Sequence, residues 1–96
     1  MTYRDSNVNR HEAIADALYS AIERNVVSIH GYNPEDCYGL TVAAGWKLVE
    51  EVAAELAVLP VGSFELRKAA SETHPDLCTA LGHTTAEDIL GQAGLL

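Results

Sequence analysis

Two cysteines and two histidines are the side chains best suited to binding a metal ion: Cys37, His74, Cys78 and His83. Together they would supply two sulfur and two nitrogen ligands, which is an acceptable tetrahedral set for zinc. Their spacing matches no zinc-finger pattern, and Pro75 interrupts any helix that would align His74 with Cys78. In the alternative interpretation, Cys78 is a small core residue and both histidines lie in loops or helix caps. We therefore expect no metal or other cofactor, and zinc binding stays as an alternative hypothesis.

Signatures of catalysis do not occur in the sequence. A nucleophilic enzyme needs a serine or cysteine beside a base and a third orienting group, and no nucleophile elbow or cysteine-protease signature accompanies these residue types. Glycine-rich phosphate-binding strings are also absent. Adjacent carboxylates occur, but the Glu-x-x-His pattern of di-iron bundles does not. The sequence therefore predicts a protein that is not an enzyme.

Residues 77–90 resemble the two short helices of the helix-turn-helix family, with Ala-Leu-Gly at the turn and a threonine-capped second helix. The stretch departs from the family pattern, because His83 takes an apolar position and Ile89 comes one place late. The helix that would read DNA carries Glu87 and Asp88, and carboxylates repel phosphates. The resemblance implies a transcriptional or DNA-associated regulator, which is a second functional alternative, although the charges argue against binding nucleic acid.

The composition bounds the class of protein. Ninety-six residues suffice for one domain, and 48% of them are hydrophobic, many being alanine. Fourteen acidic residues against six basic ones give a net charge of −8, which disfavours binding to DNA or to an anionic membrane. No apolar run is long enough to cross a bilayer, and the start of the chain does not look like a signal peptide. We therefore expect a cytoplasmic protein with reduced cysteines.

An apolar stripe at steps of three and four residues predicts a long first helix. Its members are Ile14, Ala17, Leu18, Ala21, Ile22, Val26 and Ile29. We expect Asn7 or Asn9 to cap this helix, His30 to lie near its end, and Gly31 to terminate it. Residues 1–7 precede the cap as a polar lead-in that can fray.

A second long helix is predicted from Asn33 and Pro34, which suit the cap and the first helical position. Pro60 is expected to stop it. Gly39 and Gly45 weaken its middle, which favours a kink or a split near Gly45. A short strand through residues 40–42 is the competing interpretation. The residues expected to point inward are Leu40, Leu48, Val49, Val52, Leu56 and Leu59.

Shorter helices are predicted after residue 62. Ser63 is expected to cap a helix that holds Phe64, Leu66, Ala69 and Ala70. Pro75 then begins a short helix that Gly82 ends, and the spacing of Thr84 and Glu87 predicts a capping box before a last helix containing Ile89 and Leu90. The predicted fold is all-α, a small helical bundle or orthogonal array of two long helices followed by two or three short ones, in a single domain of residues 1–96.

By elimination, the sequence predicts a non-catalytic small acidic protein that binds and modulates another protein, of a bacterial or phage accessory type. The candidate partner-binding residues are Tyr32, Tyr38, Glu51 and Glu55. The tyrosines flank the loop between the long helices, where aromatic side chains can anchor a partner, and the two glutamates lie one turn apart. Trp46 is expected in the core. A homodimer is also considered, because small residues permit close helix approach at Gly39, Ala43 and Ala44.

Overall fold

The computed structural model describes residues 3–30 and 40–96, with side-chain environments for residues 9–25 and 44–96. Within these ranges the chain forms five helices and no strand. They are α1 (Tyr3–His30), α2 (Leu40–Ala57), α3 (Phe64–Ser71), α4 (Pro75–Ala80) and α5 (Ala86–Gln92). The all-α prediction of two long helices followed by shorter ones is confirmed.

Helix α1 begins earlier than the sequence predicts. Asn7 and Asn9, the expected capping residues, lie inside a helix that already starts at Tyr3. The first turn of a helix leaves amide groups without partners inside the helix. These groups can bond to water, so polar residues are compatible with this position. The described helix extends to His30, the residue near which its end is predicted. Gly31 lies outside the described residues.

Helix α2 is continuous where the glycine pattern predicts a kink or a split. The strand alternative for residues 40–42 is wrong, because these residues form the first turn of α2. The helix runs through Gly45 without a break and ends at Ala57, shortly before Pro60. Its predicted beginning at Asn33 and Pro34 lies outside the described residues.

Helix α2 is the central element of the array. It packs extensively against α1 and α4 and touches α3, while α5 packs against α1 and α3. The large side chains fully buried among these helices are Ile14, Leu18, Ile22, Val49, Leu56, Leu66, Leu77 and Leu90. All of them were expected to be apolar helix positions. In the described part of the chain no polar or charged side chain is buried, so hydrophobic burial holds the core together.

The close approach of α2 and α4 requires a glycine. A Cβ atom added at Gly45 would lie 2.7 Å from the Cβ of Ala80 and 2.7 Å from the backbone oxygen of Asp76. Gly45 is itself buried. Because one obstacle is backbone, no side-chain rotation can relieve the clash. The glycine that the sequence marks as a weak point is therefore the position where the two helices meet most closely.

Caps begin and end the short helices as local chemistry predicts. The hydroxyl of Ser63 accepts a hydrogen bond from the Leu66 amide at 3.1 Å. The last helix is capped by Thr85, one residue later than the predicted box, and Thr84 instead donates to the Asp88 carboxylate at 2.9 Å. Gly82 follows α4 with a φ of 95°, a left-handed conformation that costs a glycine little.

Side chains from distant positions bind the carbonyls at two helix ends. The Arg10 guanidinium donates to the Ala57 backbone oxygen at 2.8 Å and to the Leu56 oxygen at 3.5 Å, at the end of α2. The Asn25 amide similarly donates to the Ala80 oxygen at 3.1 Å, at the end of α4. The last carbonyls of a helix lack partners within that helix, although the Leu56 oxygen also accepts from the Leu59 amide at 3.1 Å. The positive charge of Arg10 complements the negative end of the α2 dipole. Helix α1 is thereby tied to both neighbours.

Hydrogen bonds of a single side chain also join α3 to α5. The Thr73 hydroxyl donates to the Ala70 oxygen at 3.0 Å and accepts from the Ala86 amide at 2.9 Å. Ala70 and Ala86 are both buried, so this hydroxyl satisfies backbone groups that water reaches poorly. The end of α3 and the start of α5 are therefore fixed relative to one another.

Gly45→Ala should lower the free energy of unfolding by about 1–3 kcal/mol, because α4 must move to admit the methyl group. Intrinsic helix propensity alone would predict a gain of about 1 kcal/mol. Gly91→Ala is the matched control, since a Cβ at this helical glycine meets only the Leu96 side chain at 3.8 Å. Urea unfolding followed by circular dichroism measures both variants. Equal stabilities for the two variants would contradict the close approach.

Arg10→Met should lower the free energy of unfolding by about 1–2 kcal/mol, because it removes charged hydrogen bonds to the end of α2. Methionine keeps most of the apolar stem, so the loss reports mainly the guanidinium. Arg67→Met, at an exposed position of α3, is the control and should change stability by less than about 0.5 kcal/mol. Thermal unfolding in low salt compares the two, and an Arg10→Met variant as stable as the control would refute the capping role.

Candidate functional site

The described residues considered for a metal site lie in α4, in its cap and in the turn that follows it. His74 is the cap of α4, and its Nδ1 accepts a hydrogen bond from the Asp76 amide at 3.0 Å. Cys78 is a half-buried free thiol within α4, and His83 is exposed in the following turn. No three metal-binding side chains come together among the described residues. Cys37 lies outside them, so convergence of the full set stays an untested prediction.

The stretch that resembles a helix-turn-helix forms two helices that pack on different neighbours. Helix α4 packs mainly on α2, whereas α5 packs on α1 and α3. The connecting turn runs through Gly82 and His83, both with positive φ, and α5 starts only at Ala86. No lysine or arginine follows Lys68 in the sequence. Helices α4 and α5 therefore carry no lysine or arginine of their own for a phosphate group, and DNA binding stays a prediction without structural support.

Trp46 is half-buried and joins α2 to α1. Its ring lies against that of Tyr19, with centroids 4.7 Å apart and planes inclined at 38°. Both rings pack on the edge of the buried core, which agrees with the expected core role of Trp46. Burial and, to a smaller extent, the Glu50 carboxylate raise the pKa of the Tyr19 phenol above its ordinary value. This pair therefore contributes to packing between the two long helices.

Three large hydrophobic side chains are strongly exposed close together in the sequence. Val58 is 70% exposed, Val61 64% and Phe64 76%. They lie in and beside the turn between α2 and α3, which we call the 58–64 corner. Clustered exposed apolar residues differ from the single ones found on any protein surface, because together they can contribute to a contact.

Phe64 lies in the helix that the sequence predicts after Ser63, on the side away from the core. Phe64 is the first residue of α3 and precedes the fully buried Leu66 by two positions. Two positions turn a helix by about 200°, so these side chains point to opposite sides. Because Leu66 shares its side with Ala70, the face toward the core was readable from the sequence. The signal for this exposed aromatic was therefore present in the residue spacing.

The two glutamates predicted to bind a partner lie on the solvent side of α2. Glu51 and Glu55 are exposed, as is Ala54 between them. Val58 follows Glu55 by three positions, so the exposed face of α2 leads directly into the 58–64 corner. The structure thus joins a predicted acidic pair to an apolar surface. Tyr32 and Tyr38, the other predicted contact residues, lie outside the described residues.

A groove runs beside this acidic face, between α2 and the α3–α4 region. Apolar side chains form much of its lining, among them Val52, Leu56 and Leu77. Glu55 and Glu72 contribute carboxylates to the same lining. Both are exposed, and neither forms an ion pair within the described part of the chain. We call this depression, of about 230 Å³, the α2–α3 groove.

Two further open grooves have a different lining. The groove between α1 and α5, of about 380 Å³, combines the opposite charges of Asp16 and Arg24. A shallow depression of about 310 Å³ between α1 and α2 contains His11 and Glu50, whose Nε2 and Oε2 atoms lie 2.7 Å apart. Charge pairs of this kind on a solvated surface contribute little and mark no ligand.

Comparison with protein-family models, curated proteins and solved structures finds no match to this chain. Within residues 3–30 and 40–96, no helix combines the length and the apolar character that a bilayer crossing requires. The 58–64 corner, the α2 glutamates and the α2–α3 groove are therefore the features on which a functional hypothesis must be built.

Phe64→Ser should leave the free energy of unfolding within about 0.5 kcal/mol of the original chain, because this side chain is already in water. Leu66→Ala, two positions away, should lower it by about 2–5 kcal/mol, because Leu66 is fully buried. Chemical denaturation of both variants provides the test. A large loss for Phe64→Ser would show that the aromatic ring belongs to the core and that the corner is not a free surface.

Proposed function

We propose that this chain is a non-catalytic protein that binds another protein through the 58–64 corner and the adjoining acidic face of α2. The observation that carries the proposal is the concentration of the three strongly exposed large hydrophobic side chains in one short segment. Exposed apolar groups that cluster in this way are typical of surfaces that bind a partner.

The energetics of the corner support this proposal. Burying a valine or phenylalanine side chain is worth about 1.5–3 kcal/mol, and most of this is not realised within the described fold for Val58, Val61 or Phe64. Phe64 has the properties of an anchor residue, since an aromatic ring buries a large area at low entropic cost. A partner that covers the corner would therefore gain most of its affinity there.

The carboxylates beside the corner favour a basic partner. Glu51 and Glu55 lie on the exposed face that leads to Val58, and the whole chain carries a net charge of −8. Surface charges of one sign accelerate encounter with a partner of opposite charge and help to orient it. We place the binding in the cytoplasm, where the free thiol of Cys78 would stay reduced. Modulation of the bound protein would follow from covering its basic surface.

Site-specific photocross-linking in cells of the native host tests this function. A benzophenone amino acid in place of Val61 should give one dominant adduct with a protein other than this chain. The same amino acid in place of Ser20, an exposed position on α1, should not give that adduct. Phe64→Ser should reduce the Val61 adduct by about tenfold or more, because it removes the anchor.

Two results would contradict the proposed function. Adducts of equal yield and identity from positions 61 and 20 would show that the corner has no preference for a partner. An adduct from position 61 that persists unchanged in the Phe64→Ser variant would show that the exposed aromatic ring contributes nothing to binding.

A further inference from the structure

We propose that the α2–α3 groove receives an arginine or lysine side chain of the protein that binds the 58–64 corner. This inference rests on the proposed function and specifies the chemistry of the partner. The groove combines apolar side chains with two carboxylates contributed from different parts of the chain, Glu55 in α2 and Glu72 at the end of α3, and Thr73 and His74 complete its polar lining.

The lining of the groove fits the two halves of a long basic side chain. Val52 and Ala69 are partly exposed and can contact its methylene groups, and both pack on the buried core. Lysine and arginine commonly lay their apolar stems on such surfaces while the charged head stays near water. The exposed carboxylates of Glu55 and Glu72 would then meet the head group, where charged hydrogen bonds are strongest.

The size of the groove indicates one side chain rather than a separate small ligand. Its volume of about 230 Å³ is smaller than the range of about 300–1,000 Å³ that is typical of ligand pockets. A depression of this size is large enough for one long side chain that a neighbouring contact delivers. The corner supplies that contact, because Val58 comes three positions after Glu55, in the turn directly after α2.

Charge argues against a second copy of this chain as the occupant. In a two-fold symmetric dimer the same surface meets itself, so Glu51, Glu55 and Glu72 would face a surface that carries the same three carboxylates. Like charges brought together across an interface oppose association. A partner segment with a basic residue beside apolar residues complements both the groove and the corner, and this is the occupant that we infer.

Selection of displayed random peptides of about twelve residues on the full chain tests the inference. We expect the enriched peptides to carry an arginine or lysine next to apolar residues. The affinity of the strongest peptide is then measured by fluorescence polarisation. The double variant Glu55→Gln, Glu72→Gln should weaken its binding by about tenfold or more, since it removes both charges from the groove.

A matched double variant controls for net charge. Glu12→Gln with Glu23→Gln changes the charge by the same amount at exposed positions of α1 and should weaken binding by less than about twofold. The basic residue of the peptide is then replaced by neutral citrulline or norleucine. This replacement should remove most of the difference in peptide affinity between the original chain and the groove variant. That loss of coupling would assign the basic residue to the groove.

Each remaining outcome decides between the two proposals. Enriched peptides without a basic residue, equal effects of the two glutamine pairs, or no enrichment at all would overturn the groove inference. If the peptides nevertheless fail to bind the Phe64→Ser variant, or position 61 of the original chain cross-links to another protein, the proposed function stands without the groove inference. A Val61 adduct between two copies of this chain would identify a second copy as the occupant and overturn both.

Discussion

The structure depends on the close contact between α2 and α4 at Gly45. Because the Gly45 backbone meets Ala80 and the Asp76 backbone oxygen, any side chain at position 45 would separate the two helices. Helix α4 has only six residues and is stable through its packing rather than through its own propensity. Because α2 packs against both α1 and α4, the apolar residues of long and short helices form a single core.

Polar groups complete this core at its edges. Arg10, Asn25 and Thr73 each donate to backbone oxygens at the end of a helix. None of these side chains is fully buried, so each can bind a carbonyl while it keeps part of its hydration. The combination explains how a core built largely from alanine and leucine fixes the relative positions of short helices.

The surface that we propose for binding consists of side chains that this packing leaves exposed. Leu66 and Ala70 occupy the inner side of α3, which forces Phe64 outward. On α2, Val49, Ala53 and Leu56 face the core, which leaves Glu51, Glu55 and Val58 toward solvent. Exposed apolar groups add nothing to the stability of the isolated chain, so a contact with another molecule is the role that explains them best.

The sequence by itself determined the all-helical class, most of the apolar core positions and the Ser63 cap of α3, because periodicity and capping act over a few residues. It also placed Glu51 and Glu55 on one side of a helix. Only the tertiary structure decided that Gly45 is a packing position, that Arg10 binds the end of α2, and that Glu55 and Glu72 line one groove. These features join residues that are distant in sequence, and their positions follow from how whole helices pack rather than from any local pattern.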